Sequence, residues 1–273
     1  RDAFFNGKSL LYSFSRTLGG EMVGIYAYYL ASPFSFILLL FPKIYMTEAV
    51  LCMILLKVGT AAVTFAIYLK QLRNAYNYPM LIFSLMYSLM SYMIIQTMNP
   101  MWIDGLIMLP LIVLGVERLI VSGKYFMFTI TLALLFISNF YIGYMTGFFV
   151  FVYFIYYLLG KYERCAMIEK AKILLRFFGA TALSIALSSW LLIPTYFSLK
   201  MGKLEFTNPD FTPLQNLDLL DLISKTLPVT YDSINYPGLP FIFSGTVVIL
   251  LAAYYFSNSK VSFREKVSGG SFI

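Results

Sequence analysis

The sequence contains no histidine and only two cysteines among its 273 residues. The lack of histidine excludes imidazole general bases, Ser-His-Asp triads and histidine-ligated zinc, so acid–base chemistry must come from Asp, Glu, Lys or Tyr. Cys52 lies in an apolar run, whereas Cys165 lies in a basic loop that is expected on the opposite side of the membrane from the external segments. No disulfide between them is therefore predicted. Phosphate-binding motifs of the GxGxxG and GxxxxGK[ST] types are absent, which argues against a nucleotide-binding enzyme.

Charged residues are also scarce, at 12% of the chain against about 25% in an average soluble protein. Hydrophobic residues make up 60%, aromatic residues 18%, and the mean hydropathy is +0.77. Apolar runs close to the ~20 residues needed to cross a ~30 Å hydrocarbon layer recur along the sequence. The composition therefore predicts an all-α, polytopic membrane protein with one helical membrane domain.

These runs predict about seven spanning helices. They cover residues 46–69, 80–97, 103–119, 125–139, 143–159, 173–197 and 239–257. The fourth and fifth are short and are separated only by residues 140–142, which predicts a junction close to the membrane surface. Segment 22–41 is interrupted by Ser32-Pro33 and is predicted to form two short helices that lie along the membrane face or dip into it.

The predicted domains follow from these spans. Residues 1–45 are expected to form an external loop with interfacial or re-entrant helices, and residues 46–198 the transmembrane core. An external loop at 199–238, a spanning helix at 239–257 and a cytoplasmic tail at 258–273 follow. Because the first residues are polar, with no initiator Met or signal segment, the chain is expected to be a fragment that lacks an upstream membrane anchor.

The distribution of Lys and Arg predicts the orientation in the membrane. One set of short loops holds 12 of the 20 basic residues and four of the 13 acids. Its basic residues are Lys70, Arg73, Arg118, Lys124, those from Lys161 to Arg176 and those from Lys260 to Lys266. This side is predicted to be cytoplasmic. The net charge of +7 then reflects topology and contact with membrane lipids rather than nucleic-acid binding, because it is spread over separate loops.

This orientation places four polar and aromatic segments together on the outside of the membrane. They are residues 1–45, 99–104, 139–144 and 199–238. Membrane helices would lie beneath this face and amphipathic loops would cover it, an arrangement that suits an enzyme whose substrate has a polar head and a lipid tail. It would equally suit a protein that only binds such a lipid.

Four stretches carry a resemblance to a known family. They are GKSLLYS at 7–13, YYLASPF at 28–34, WIDGLIMLPL at 102–111 and SNFYIGY at 138–144. In this order they resemble the YfhO-type family of bacterial multi-spanning membrane proteins, whereas the loop after residue 200 matches only loosely. The resemblance implies a GT-C-type glycosyltransferase in the bacterial cell membrane. Such an enzyme takes a sugar from a polyprenyl-phosphate donor on the external face and places it on a cell-surface polymer such as teichoic acid.

Sugar transfer from a lipid phosphate requires a carboxylate near the acceptor hydroxyl, cations for the departing phosphate and aromatic surfaces for the sugar ring. Asp104 is the first candidate for the catalytic carboxylate, because an ionised side chain in an apolar segment is costly unless it has a task. The alternative is that Asp104 caps a helix beginning at Gly105. The resemblance also implies an acid just upstream of this sequence, for which Asp2 is a weak substitute.

Three further charged residues are candidates to bind substrate. Lys57 lies about 16 Å along the helix that begins near Met46 and could bind the donor phosphate. The alternative is a structural pair with an acid or backbone carbonyls of a neighbouring helix. Arg16, in a glycine-bearing external loop, could reach the same phosphate or be an ordinary loop charge. Glu21 is a reserve carboxylate.

Polar and aromatic residues of two turns are candidates to bind the sugar. Trp102 could stack on the sugar ring, although Trp is also enriched at membrane interfaces because its ring is amphipathic. Asn99 in the same turn, and Asn139, Tyr141 and Tyr144 in the second turn, could hydrogen-bond the sugar. A tight turn between two short helices also favours Asn for conformational reasons, so both interpretations of Asn139 remain open.

Two rival classes remain. A polytopic transporter or flippase of lipid-linked or small polar substrates would also hold a buried charge such as Lys57, but internal repeats are expected of it and none is clear. A non-catalytic partner that presents lipid-linked sugar would share the external groove and need no carboxylate.

No certain cofactor is predicted, and the need for a divalent metal is left open. The acids of the late external loop lack the spacing of a calcium loop and are predicted to be a solvated surface. They are Asp210, Asp218, Asp221 and Asp232.

Overall fold

A computed structural model of the chain describes residues 5, 7, 9, 12–14, 19–73, 78–161, 166–202, 224–227, 243–261, 263 and 266. Their helices are α1 (Val23–Leu30, an α-helical turn that continues as a π-helix), α2 (Pro33–Leu40, which begins as a 3₁₀ turn), α3 (Met46–Arg73), α4 (Tyr78–Ser88), α5 (Ser91–Ile95), α6 (Ile103–Ser122), α7 (Phe126–Ser138), α8 (Phe140–Lys161), α9 (Met167–Gly202) and α10 (Thr246–Ser257). Separate 3₁₀ turns cover Lys43–Tyr45 and Gln96–Met98. Two short strands, β1 (Tyr12–Ser13) and β2 (Gly20–Glu21), pair antiparallel before α1. The predicted all-α membrane class is confirmed.

Within the described ranges, five helical segments are long and apolar enough to cross a membrane. They are Lys43–Leu72, Tyr78–Met98, Ile103–Ser122, Phe140–Leu158 and Met167–Lys200. The other two predicted spans are present but shorter, since α7 has 13 residues and α10 has 12. At 1.5 Å per residue these are roughly 20 and 18 Å long, less than the ~30 Å of a hydrocarbon layer. Among the described residues, five of the predicted spans therefore have full length.

Several predicted boundaries are also corrected. Helix α9 runs from Met167 to Gly202, well beyond the predicted 173–197, and α3 continues to Arg73. The added residues include Lys, Glu and Arg, which are good helix formers and extend a helix past its apolar run. Helix α10 begins at Thr246 rather than at residue 239, and residues 243–245 are not helical.

The predicted interruption at Ser32-Pro33 is confirmed, because α1 and α2 are bent by 95° at this point. Ser32 is extended (φ −61°, ψ 135°), as is common before a proline, and Pro33 begins the next helix. Counted as one span, this broken pair would be a sixth crossing of the membrane. Helix α1 packs against α7, α8 and α9, whereas α2 packs against α3. The pair therefore joins two parts of the helix bundle.

The junction of α7 and α8 is tighter than predicted. Asn139 alone breaks the helix, with an extended backbone (φ −160°, ψ 108°), and α8 begins at Phe140 rather than at residue 143. The backbone N–H of Ile142 donates to Asn139 Oδ1 at 2.9 Å. This side-chain cap satisfies one of the free N–H groups in the first turn, so α8 can begin directly after Asn139.

Helices α3 and α6 are neighbours that run in the same direction. Contacts between them follow the same order along both helices, and they are Lys57 with Asp104, Tyr68 with Glu117 and Gln71 with Arg118. Polar groups therefore meet at two separate levels of this interface. The larger apolar core lies between α6, α7, α8 and α9, where Phe128, Phe154 and Phe177 stack.

Candidate functional site

The two unusual charges of the sequence form one buried ion pair. Lys57 Nζ lies 2.8 Å from Asp104 Oδ2, and both side chains are only 1% exposed. The Ser32 hydroxyl donates to Asp104 Oδ1 at 3.0 Å, and Lys57 Nζ also donates to the Pro100 carbonyl oxygen at 2.8 Å. Lys57 from α3 and Ser32 from the bend between α1 and α2 thus both contact the Asp104 carboxylate of α6.

The structure corrects the interpretation of Asp104 as a helix cap. Helix α6 begins at Ile103, so Asp104 lies in its first turn and Trp102 occupies the cap position. Both carboxylate oxygens of Asp104 accept hydrogen bonds from side chains, Ser32 and Lys57, rather than from backbone N–H groups of the first turn. Its carboxylate still lies near the positive end of the helix dipole, which is a favourable place for an acidic side chain.

For Lys57 the structure shows the structural pair that was the alternative to phosphate binding. Two of the three donors of its ammonium group are used, by Asp104 and by Pro100. The Phe34 ring lies 5.7 Å from Nζ, within the range of a cation–π contact. Burying a lysine and an aspartate is costly, and removing either one leaves an uncompensated charge, so the two residues must be considered as a unit.

An aromatic and amide layer lies beside the ion pair and is centred on Tyr28. Trp102 Nε1 donates to the Tyr28 hydroxyl at 3.0 Å, and Asn139 Nδ2 donates to the Tyr28 carbonyl at 2.9 Å. The Tyr28 ring lies 5.9 Å from the ring of Phe140 and 6.3 Å from that of Tyr141. The α1–α2 pair is therefore held against both α6 and α8 at the end of the bundle that carries Asp104.

The predicted sugar-binding residues differ in how accessible they are. Asn139 is fully buried, and its amide is used by the α8 cap and by Tyr28, so it has a structural task. Tyr141 and Tyr144 are 39% and 73% exposed, which leaves their rings accessible. Asn99 is half-buried in the turn before α6, where its carbonyl accepts from the Trp102 N–H at 2.9 Å.

The hydrogen bonds of Glu21 with Val23, Gly24 and Ser198 involve none of the residues that contact Asp104. Its Oε2 accepts from the N–H groups of Val23 and Gly24 at 2.9 and 3.3 Å, and its Oε1 accepts from the Ser198 hydroxyl of α9. The carboxylate thus caps α1 and ties it to α9. Other sequence predictions lie outside the described residues: Arg16, Asp2, Cys165, Asp210, Asp218, Asp221 and Asp232.

A mostly apolar groove of about 230 Å³ lies between α6 and α8, and Trp102 and Gly105, which are close to Asp104 in the sequence, are part of its lining. Its α6 wall is formed by Trp102, Gly105, Leu106 and Leu109, and its α8 wall by Ile142, Met145, Thr146 and Phe149. Both walls have the spacing i, i+3, i+4, i+7 of one helix face, a sequence signal that could have revealed the groove. A Cβ atom on Gly105 would collide with Ile142, so the approach of the two helices requires this glycine.

The comparisons with known proteins agree with the architecture. The family described as bacterial membrane protein YfhO matches residues 1–273. No curated protein and no solved structure matches the chain. The family match also includes the loop after residue 200, where the resemblance of the sequence was only loose. The chain belongs to the YfhO family of bacterial membrane proteins.

Proposed function

We propose that this protein is a GT-C-type glycosyltransferase that moves a sugar from a polyprenyl-phosphate donor to a cell-surface polymer such as teichoic acid on the external face of the membrane. Membership of a family of bacterial membrane proteins supports the location in a bacterial membrane. The observation that carries the chemistry is the buried Lys57–Asp104 pair, which lies at the same end of the bundle as the aromatic layer and the Trp102 end of the apolar groove. Ionisable residues inside a membrane are costly and commonly mark functional sites.

In this proposal Asp104 is the base that accepts the proton of the acceptor hydroxyl, and Lys57 keeps it ionised. The Ser32 hydroxyl donates to Asp104 Oδ1 at 3.0 Å, the contact that an acceptor hydroxyl must make with a general base. Movement of the bend at Ser32-Pro33 would exchange one hydroxyl for the other. The α1–α2 pair therefore acts as the cover of the catalytic carboxylate.

The donor is proposed to lie along the α6–α8 groove, with its polyprenyl tail against apolar side chains. Trp102 is at the Asp104 end of this groove and offers its ring to the sugar, while Tyr141 and Tyr144 are exposed near the same end. The remaining donor of Lys57, together with Arg16, would bind the phosphate.

A second candidate function is transport or flipping of a lipid-linked or small polar substrate. The observation in its favour is the broken pair α1–α2, because discontinuous helices beside a buried charge are a feature of transporter sites. In this case the Lys57–Asp104 pair would bind the moving substrate without breaking a bond in it. Sugar transfer itself separates the two candidates.

The test is sugar transfer by the full-length protein in liposomes that contain a polyprenyl-phosphate-linked sugar and an acceptor polymer. Asp104→Asn is expected to abolish transfer. The matched control is Glu48→Gln, which removes an exposed carboxylate from the first turn of α3 and is expected to retain wild-type transfer. Because Asp104→Asn leaves Lys57 with a buried charge, the Lys57→Met/Asp104→Asn double variant provides a neutral site in a folded protein.

A folded double variant without transfer supports the enzyme and the role of Asp104. Equal transfer by the wild type and Asp104→Asn would move catalysis to another acid, such as the one expected upstream. Passage of the lipid-linked sugar across the bilayer without transfer would support the transporter.

A further inference from the structure

A second polar cluster lies at the other end of the α3–α6 interface. Gln71, Glu117 and Arg118 are about 21 Å along their helices from Lys57 and Asp104, at 1.5 Å per residue. They line a cavity of about 520 Å³ together with Ser122, Lys124 and Tyr157. The proposed transferase site does not use this cavity, so an inference about it is independent of the proposed function.

Cations surround this cavity. The Arg118 guanidinium donates to Gln71 Oε1 at 2.8 Å and to Met127 Sδ at 3.3 Å, which holds it in place and leaves further N–H donors available. Lys124 is exposed in the turn after α6. Gly123 in this turn has φ +70°, and a Cβ atom there would lie 2.7 Å from Arg176 Nη1. A third cation from α9 therefore packs against the same turn.

The acid of the cavity wall, Glu117, is already partly engaged. Its Oε1 accepts from the Tyr153 hydroxyl at 2.6 Å and from the Tyr68 hydroxyl at 3.3 Å. Two phenols thus hold the carboxylate in the interface between α3, α6 and α8. Arg118, Lys124 and the nearby Arg176 outnumber this single carboxylate, so the cavity favours an anion.

We propose that this cavity binds a phosphate group, carried by the headgroup of an anionic membrane phospholipid or present as free phosphate. An arginine fixed by its own hydrogen bonds and an exposed lysine form a donor set that suits phosphate oxygens, whereas the Ser122 hydroxyl already donates to the Arg118 carbonyl at 2.8 Å. Leu114 and Val121 add apolar surface for the part of a lipid next to its headgroup. Basic pockets between membrane helices on the cytoplasmic side bind anionic headgroups, and the loop charges assign this end to the cytoplasm.

The test is ligand-dependent thermal unfolding of the full-length protein in detergent. Short-chain phosphatidylglycerol is expected to raise the Tm in a saturable manner, whereas short-chain phosphatidylcholine is not. Arg118→Gln should weaken the apparent Kd for phosphatidylglycerol at least about tenfold, because a charge-assisted contact is lost. Glu117→Gln should tighten binding, since it removes the opposing charge while its side-chain oxygen can still accept from both phenols.

Two further variants control for loss of folding and for the position of the charge. Lys124→Gln changes an exposed side chain and is expected to leave the Tm of the ligand-free protein unchanged, so weaker binding in this variant would report the lost charge. Lys260→Gln makes the same charge change on the same predicted face but outside the cavity and is expected to bind like the wild type. Opposite effects of Glu117→Gln and Arg118→Gln identify electrostatic binding, which a purely structural role would not produce.

The possible results distinguish a lipid site from a free-phosphate site and also test whether the cavity binds phosphate at all. A Tm increase with phosphatidylglycerol but not with inorganic phosphate identifies a lipid site, and an equal increase with inorganic phosphate identifies a free-phosphate site. The proposal is overturned if neither ligand raises the Tm of the wild type. It is also overturned if Arg118→Gln and Lys124→Gln bind phosphatidylglycerol as tightly as the wild type does.

Discussion

Neutralising both members of the Lys57–Asp104 pair is predicted to restore the stability that either single substitution removes. Asp104→Asn keeps the volume of the side chain and an oxygen for the Ser32 hydroxyl, but it leaves the Lys57 ammonium without its anion at 1% exposure. Breaking a buried pair in this way costs about 3–5 kcal/mol. Lys57→Met leaves the Asp104 carboxylate with Ser32 as its remaining donor and is expected to cost a similar amount.

The Lys57→Met/Asp104→Asn double variant removes both charges, so neither is left uncompensated. Replacing a buried ion pair by neutral groups of similar volume is often neutral or stabilising. We therefore expect a change in the free energy of unfolding below about 1 kcal/mol for the double variant, and a coupling energy of at least about 5 kcal/mol.

The assay is reversible unfolding in mixed micelles, followed by circular dichroism for the wild type, both single variants and the double variant. Glu48→Gln, which removes an exposed carboxylate, is expected to change the free energy of unfolding by less than about 0.5 kcal/mol. Single variants that each cost less than about 1 kcal/mol, with effects that add in the double variant, would refute the reasoning. Such a result would mean that the two charges are solvated or do not meet.

Three further predictions concern the contacts and the ends of helices and use the same unfolding assay. Gly105→Ala should cost about 1–3 kcal/mol because its Cβ collides with Ile142, and adding Ile142→Ala should recover part of this loss; no recovery would contradict the close approach. Asn139→Ala should cost about 1–3 kcal/mol because the α8 cap and the bond to the Tyr28 carbonyl are lost, whereas Asn139→Ser, which keeps a neutral cap acceptor, should cost less. Gly123→Ala should cost about 1 kcal/mol because φ is +70°, and equal stability of Gly123→Ala and Gly123→Asn would argue against a left-handed conformation.

Much of the architecture followed from hydropathy alone. The long apolar runs predicted the helices α3, α6, α8 and α9, because a chain in lipid must satisfy its backbone hydrogen bonds within each helix. The break between α1 and α2 was also predictable, since Pro33 constrains the residue before it. Helix ends were less predictable, because helix-forming polar residues carry α9 beyond its apolar run.

For the candidate site, too, the sequence predicted the individual residues but not their contacts. Asp104 and Lys57 each stood out as a charge in an apolar segment, but their pairing joins residues 47 positions apart in the sequence. No local pattern predicts that contact, because it depends on α3 and α6 running in the same direction with these residues at one level. Asn139 was predicted as either a sugar ligand or a turn residue, and its contacts in the structure give it the cap of α8.

The sequence by itself determined the membrane class, the main helices and the identity of the costly charges, because these depend on the transfer of individual side chains and segments from water to lipid. The tertiary structure alone decided which charges neutralise each other, which face of α6 meets α8 to form a groove, and how α1 and α2 cover Asp104. These features depend on distances of a few ångströms between helices that are far apart in sequence, which hydropathy and local propensity do not encode.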